Sequence, residues 1–205
     1  NGSEGGTVFG AGKGSGADNE PESGRMSFGT NLVIADECDI LNNVYGGGNY
    51  GFADEYTNLY VLGGIVHGNV FGGSNQNKAP QVTVNMKDGK INGSLYGGSN
   101  TSGTNNDGAT VNVSGGTVTN VFGGGLGEDT DMEAGTVVNV SGGTISNNVY
   151  GGGEKGTVSN GNTEVNISGG TMNDVFGAGK GESEASGSKA VISGTTTVNV
   201  TGGTV

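Results

Sequence analysis

One string recurs along this chain and constrains it more than any other feature. Its best copies are TVNVSGGTVTNVFGGG from Thr110, TVVNVSGGTISNNVYGGG from Thr136 and TEVNISGGTMNDVFGAG from Thr163. Earlier copies are more degenerate: TNLVIADECDILNNVYGGG from Thr30, TNLYVLGGIVHGNVFGGS from Thr57 and VTVNMKDGKINGSLYGGS from Val82. The chain opens with GGTVFGAG from Gly5 and closes with TTVNVTGGTV from Thr196. One aromatic marks each copy: Phe9, Tyr45, Phe71, Tyr96, Phe122, Tyr150 and Phe176, at successive spacings of 36, 26, 25, 26, 28 and 26 residues. Phe and Tyr alternate throughout. A fixed period of this size implies an array in which each copy leans on its neighbours.

Within a copy the apolar pattern has period 2, which predicts short strands. The expected inward pairs are Val33/Ala35, Leu59/Val61, Val84/Met86, Val111/Val113, Val138/Val140, Val165/Ile167 and Val198/Val200. A second apolar column follows the glycines (Ile40, Val66, Ile91, Val118, Ile145, Met172, Val205). A third precedes the aromatic (Val8, Val44, Val70, Leu95, Val121, Val149, Val175). Glycine pairs and triplets between strands read as tight corners, where a positive φ costs glycine nothing. Glycine supplies 47 of 205 residues and apolar residues only 31%. A conventional globular core does not fit those figures, but stacked coils sharing a narrow core do. Collagen is excluded because glycine does not fall at every third position and there are only two prolines. Helical repeats are excluded by the absence of a 3.6-residue period, and the leucine-rich consensus is missing.

The expected fold is all-β: a right-handed parallel β-solenoid of about seven coils of ~26 residues, the hand following the rule for parallel crossovers. Strands in successive coils would lie ~4.8 Å apart. Residues 1–205 form one repeat array, expected to be a segment of a longer protein. The segments between each glycine run and the next Thr are variable and should emerge from one edge; the long insertions are 13–29 and 180–195. An edge strand left unpaired at either end predicts end-to-end self-association.

The iterated string VNVSGGTV-x-NVFGGG resembles repeats in very large adhesin-like surface proteins of anaerobic gut bacteria. The likeness covers most of the chain from about Gly5 to Val205 and is best from Thr110 onward. It implies secretion, attachment to the bacterial cell surface through regions outside this segment, and a stalk or adhesive role. The first copy departs from the pattern: ADECD at 35–39 stands where VSGGT is expected.

Charge excludes one class of partner. Eight Lys+Arg against twenty Asp+Glu give a net charge of −12, so there is no basic footprint for nucleic acid. The longest apolar runs are a few residues, so this segment does not insert in a membrane. The glycine-lysine strings at Phe9 and Phe176 fail the phosphate-loop spacing, because Gly rather than Ser/Thr follows Lys13 and Gly181 follows Lys180. GGLGED at 124–129 matches the start of a calcium-binding nonapeptide, and Glu128, Asp129 and Asp131, with Glu133, offer hard oxygen ligands suited to calcium. The alternative is a solvated acidic loop, since Asp131 stands where an apolar residue belongs and no second nonapeptide follows.

Catalytic chemistry finds little to stand on. His67 is the sole histidine and reads as an exposed substitution; Cys38 is the sole cysteine, flanked by Glu37 and Asp39, which disfavour a thiolate. Arg25 is the sole arginine, and the acidic pair Asp36 and Asp39 has no feature that marks a catalytic pair. The chain is therefore expected not to be an enzyme.

Two repeated columns remain. Asn85, Asn112, Asn139, Asn166 and Asn199, preceded by Ile34 and Tyr60, read as an exterior amide ladder or as a hydrogen-bonding face for glycans. A Thr column (Thr117, Thr144, Thr171, Thr204) is interrupted by Asp39, Ile65 and Lys90, which argues against an ice-binding face. The aromatic column reads as a corner ladder with Tyr hydroxyls at the rim, or as an open strip in which Tyr45, Tyr96 and Tyr150 stack on sugar rings. The functional expectation is a structural or adhesive repeat module of a cell-surface or secreted protein, a rigid stalk or a surface for a glycan or host protein. The alternative is a calcium-dependent carbohydrate-binding β-helix, and the third reading is a polysaccharide-degrading enzyme.

Overall fold

The computed structural model describes residues 6–15, 23–182 and 190–205. The insertions at 13–29 and 180–195 therefore lie partly outside the described residues. Among the described residues every regular element is a β-strand, and every strand pairing is parallel. The chain winds into a parallel β-solenoid of about five turns, slightly fewer than the about seven coils expected.

Each coil carries a long strand, a short strand after a glycine corner, and a two-residue strand that ends in the aromatic. The long strands run from Thr30–Ile34 through Tyr56–Val61, Gln81–Met86, Ala109–Val113, Thr136–Ile145 and Thr163–Thr171 to Thr196–Val200. They pair in coil order, in register at every Asn of the repeat: Asn85, Asn112, Asn139, Asn166 and Asn199. The aromatic strands, from Val8–Phe9 to Val175–Phe176, form a separate seven-stranded sheet in the same order.

The core lies between these sheets. Leu59, Val61, Val84, Met86, Val111, Val113, Val138, Val140, Val165 and Ile167 are fully buried, as are Val66, Ile91, Val118 and Ile145 from the short strands and Val44, Val70, Leu95, Val121 and Val149 beside the aromatics. All are positions that the period-2 pattern marks as inward. At the last coil, Val198 and Val200 pair with Val165 and Ile167 but remain exposed, since nothing described stacks beyond them.

The first coil is a correction. Leu32 and Ile34, not Val33 and Ala35, occupy the inward column, because Leu32 registers with Leu59 and Ile34 with Val61. Val33 is 52% exposed. It, rather than Ile34, precedes Tyr60 in the amide column. The cause is a corner one residue longer than the others. Asp39 still registers with Ile65, so four residues (35–38) span what Leu62–Gly64 spans with three. Glu37 takes φ 67° in this corner, the left-handed region that Gly64 occupies at φ 74° in the next coil.

The variable segments are a second correction. They share one side of the stack, but they are not plain loops. Ser102–Asn105 pairs with Asp129–Met132, and further bridges join Met26 to Ala53 and Val158 to Ile192. These segments contribute Ala53, Ala79, Met132 and Val158 to the core. Asn105 sits in the same side, fully buried, with neither amide atom hydrogen-bonded.

A buried threonine ties the sheets across single coils. Thr30, Thr57, Thr136 and Thr163 donate from Oγ1 to the carbonyls of Gly46, Gly72, Gly151 and Gly177, at 2.5–2.9 Å. The accepting glycine is the one after the aromatic. Its lack of a side chain is a packing requirement, since a methyl on Gly123 would collide with the carbonyl oxygen of Gly151 in the next coil.

Candidate functional site

The aromatic column is the most ordered feature of the interior. Each ring follows an inward Val or Leu and turns into the corner, so seven rings stack in line. Successive centroids are 4.7–5.1 Å apart and the planes differ by 4–11°. That spacing is the strand spacing itself, so stacking adds about 0.5–1.5 kcal/mol per pair with no distortion of the coils. Phe71, Tyr96 and Phe122 are at most 2% exposed and Tyr150 7%. The residue four positions after each ring runs alongside: the backbone N–H of Asn75, Asn100, Leu126 and Glu154 each bonds to the coil before, and Leu126 packs on the rings.

The tyrosine hydroxyls reach the rim and are satisfied there. Asn43 and Asn100 each donate to the Tyr45 hydroxyl at 3.1 Å, and Asn148 donates to that of Tyr150 at 3.0 Å. The Tyr96 hydroxyl donates to Glu154 Oε2 at 2.5 Å, and Lys180 donates to Glu154 Oε1 at 2.7 Å. Burial raises the Tyr45 pKa; burial and then the neighbouring Glu154 carboxylate raise that of Tyr96. Tyr45, Tyr96 and Tyr150 are thus members of a buried ladder, and no ring face among them lies open to a sugar.

The acidic segment is a strand, which separates its side chains. In Asp129–Met132 the residues alternate, so Thr130 and Met132 point into the core while Asp129 and Asp131 point outward. Asp131 accepts from both the backbone N–H (3.0 Å) and the hydroxyl (2.6 Å) of Ser159. Lys155 pairs with Glu182 at 2.7 Å, which raises its pKa. Among the described residues, no three of His, Cys, Asp or Glu converge as a metal group, so Glu128, Asp129 and Asp131 are not brought together as one. A shallow groove of about 370 Å³ lies between Glu128 and Asp129 on one side and Asn100, Thr101, Leu126 and Lys155 on the other.

His67 lies on the exposed side, between Asp39 at 2.8 Å and Asn92 at 3.2 Å, one on each ring nitrogen. Among the described residues its two ring nitrogens are thus taken up by a carboxylate and an amide. Arg25 is ion-paired to Asp54 at 2.6 Å.

The outer face of the long strands holds the amide ladder. Asn112, Asn139, Asn166 and Asn199 each donate from Nδ2 to Oδ1 of the Asn one coil back, at 2.8–3.0 Å. The polar row is broken in the coil of Tyr56–Val61, where Tyr56, Asn58 and Tyr60 face outward and Thr57, Leu59 and Val61 inward. Tyr56 and Tyr60 are half-buried, and neither hydroxyl has a hydrogen-bond partner among the described residues. Sequence reasoning passed over Tyr56 and noted Tyr60 only as a gap in the Asn column. The signal was present in YTNLYV, whose alternation sets both rings on the face opposite the core.

Comparison with protein-family models, with curated proteins and with solved structures finds no match.

Proposed function

We propose that this chain is a structural repeat module of a bacterial cell-surface or secreted protein, a stiff spacer whose outer face serves adhesion to a glycan or a host surface protein. The observation that carries the proposal is the continuity of its ladders. The ring column runs from Phe9 to Phe176 and the amide column from Asn85 to Asn199, each stacking coil on coil in register, so the stack resists bending between coils. Such a body transmits force and sets distance, and it does not need a pocket.

An antibody against this segment tests the proposal on intact cells of the bacterium that encodes it. Labelling of unbroken cells, or recovery from the culture medium, is the expected result. Recovery only after lysis overturns the surface reading.

A further inference from the structure

The coil of Tyr56–Val61 breaks the repeat where the core gives no reason to break it. Its inward residues Thr57, Leu59 and Val61 fit their columns, but outside it presents Tyr56, Asn58 and Tyr60. In the next coil the same three outward positions are Gln81, Thr83 and Asn85. Two rings therefore occupy positions that carry Gln81 and Asn85 in the next coil and, at the Tyr60 position, Val33 in the coil before, and neither contributes to the buried ladder.

We propose that this outward row binds a neutral oligosaccharide laid along the strand, the two rings stacking on sugar faces and the flanking amides bonding to hydroxyls. The inference names the partner class of the surface module and rests on that reading. Four observations support it. The rings stand four residues apart on one strand, about 13 Å by the strand rise, which spans a short glycan chain rather than one sugar. Tyr56 lies over Gly29, which has no side chain to interfere with it. Among the described residues the phenol hydroxyls of Tyr56 and Tyr60 have no hydrogen-bond partner, in contrast to those of Tyr45, Tyr96 and Tyr150. The amide ladder also ends beside Tyr60. Asn85 Oδ1 accepts from Asn112, and its Nδ2 has no acceptor among the described residues.

The immediate surroundings set the ligand's charge. Asn31, Val33, Thr83 and Asn85 border the row in the coils on either side, and none is ionisable. A uronic acid or a sulfated sugar would find no cation among these four residues; Lys78, paired with Asp54, and Lys87, whose backbone N–H bonds to Val61, lie beyond the ends of the row. Tyrosine suits the task, since its ring offers an apolar face and its hydroxyl a polar edge at little cost in side-chain order.

The test uses the whole 205-residue chain and three neutral hexasaccharides (cellohexaose, xylohexaose, mannohexaose), with oligogalacturonate as the acidic probe and calorimetry as the readout. Two variants take the residue of the next coil: Tyr56→Gln and Tyr60→Asn. The second extends the amide ladder by one coil, so its melting temperature should be kept or raised. Binding of at least one neutral probe, weakened about tenfold or more in each variant and kept in Tyr60→Phe, is the expected result. No neutral binding at millimolar concentration, equal binding by Tyr60→Asn, or binding of oligogalacturonate alone overturns the proposal. So does retention of a protein partner with no sugar response. Surface labelling of intact cells does not depend on these rings, so failure here leaves that reading separately decided.

Discussion

The aromatic column and the asparagine column obey the same geometry and have opposite tolerances. Both recur once per coil, and both bond each copy to the next at the strand spacing. The aromatic column is inside. It admits only Phe or Tyr, it needs glycine after each ring, and each well-buried Tyr has a partner for its hydroxyl. The asparagine column is outside, and Val33 and Tyr60 replace the amide there without disturbing strand pairing. Repetition by itself therefore does not mark a position as critical. Removal from water does, because a void or an unpaired polar group inside has no solvent to relieve it.

The sharpest way to break the interior is Val140→Asp. It places an unpaired charge in a core only one side chain deep, and the strand signal in far-UV circular dichroism should be lost at room temperature. Phe122→Ala removes a fully buried ring from mid-ladder and should cost about 3–5 kcal/mol, read as a fall in denaturant midpoint. Asn105→Leu works in the other direction. It replaces a fully buried amide with neither atom satisfied by an apolar side chain of similar size, and should stabilise by about 1–3 kcal/mol in the same titration.

A pH scan probes the ladder's hydroxyls. The Tyr96 and Tyr45 pKa values are raised in the fold, so the unfolded chain releases those protons first. Stability is fully present below the ordinary phenol value of about 10 and falls as pH rises above it. Melting temperatures at about pH 9 and about pH 11 should show this drop, and Tyr96→Phe should reduce it. The smallest effect belongs to the outer column. Asn139→Ser breaks two half-buried amide bonds on the outer face and should change stability by about 1 kcal/mol or less in chemical denaturation. A loss as large as that of Phe122→Ala would erase the contrast between the two columns.

Much of this architecture was legible in the chain. The period-2 pairs, the corner glycines and the aromatic spacing state the strands, their parallel stacking and the ring ladder, because each is a local pattern repeated in step. The first coil was not legible. ADECD aligns with VSGGT by eye, yet it hides one extra corner residue, and a slip of one residue in a strand exchanges its faces. The strand in the acidic segment was not legible either. Its four carboxylates look convergent as text, but the strand Asp129–Met132 alternates them with buried Thr130 and Met132.

What the sequence alone determined is the coil: its length, its inward columns and its corners, since these follow from side-chain polarity and glycine's freedom at short range. What only the tertiary structure decided is which equivalent residues are covered. Tyr96 and Tyr60 are both tyrosines of the repeat, one 2% exposed and the other on the outer face. The ring of Tyr96 is covered by residues distant in sequence, such as Leu126 and Glu154, which only later coils bring over it.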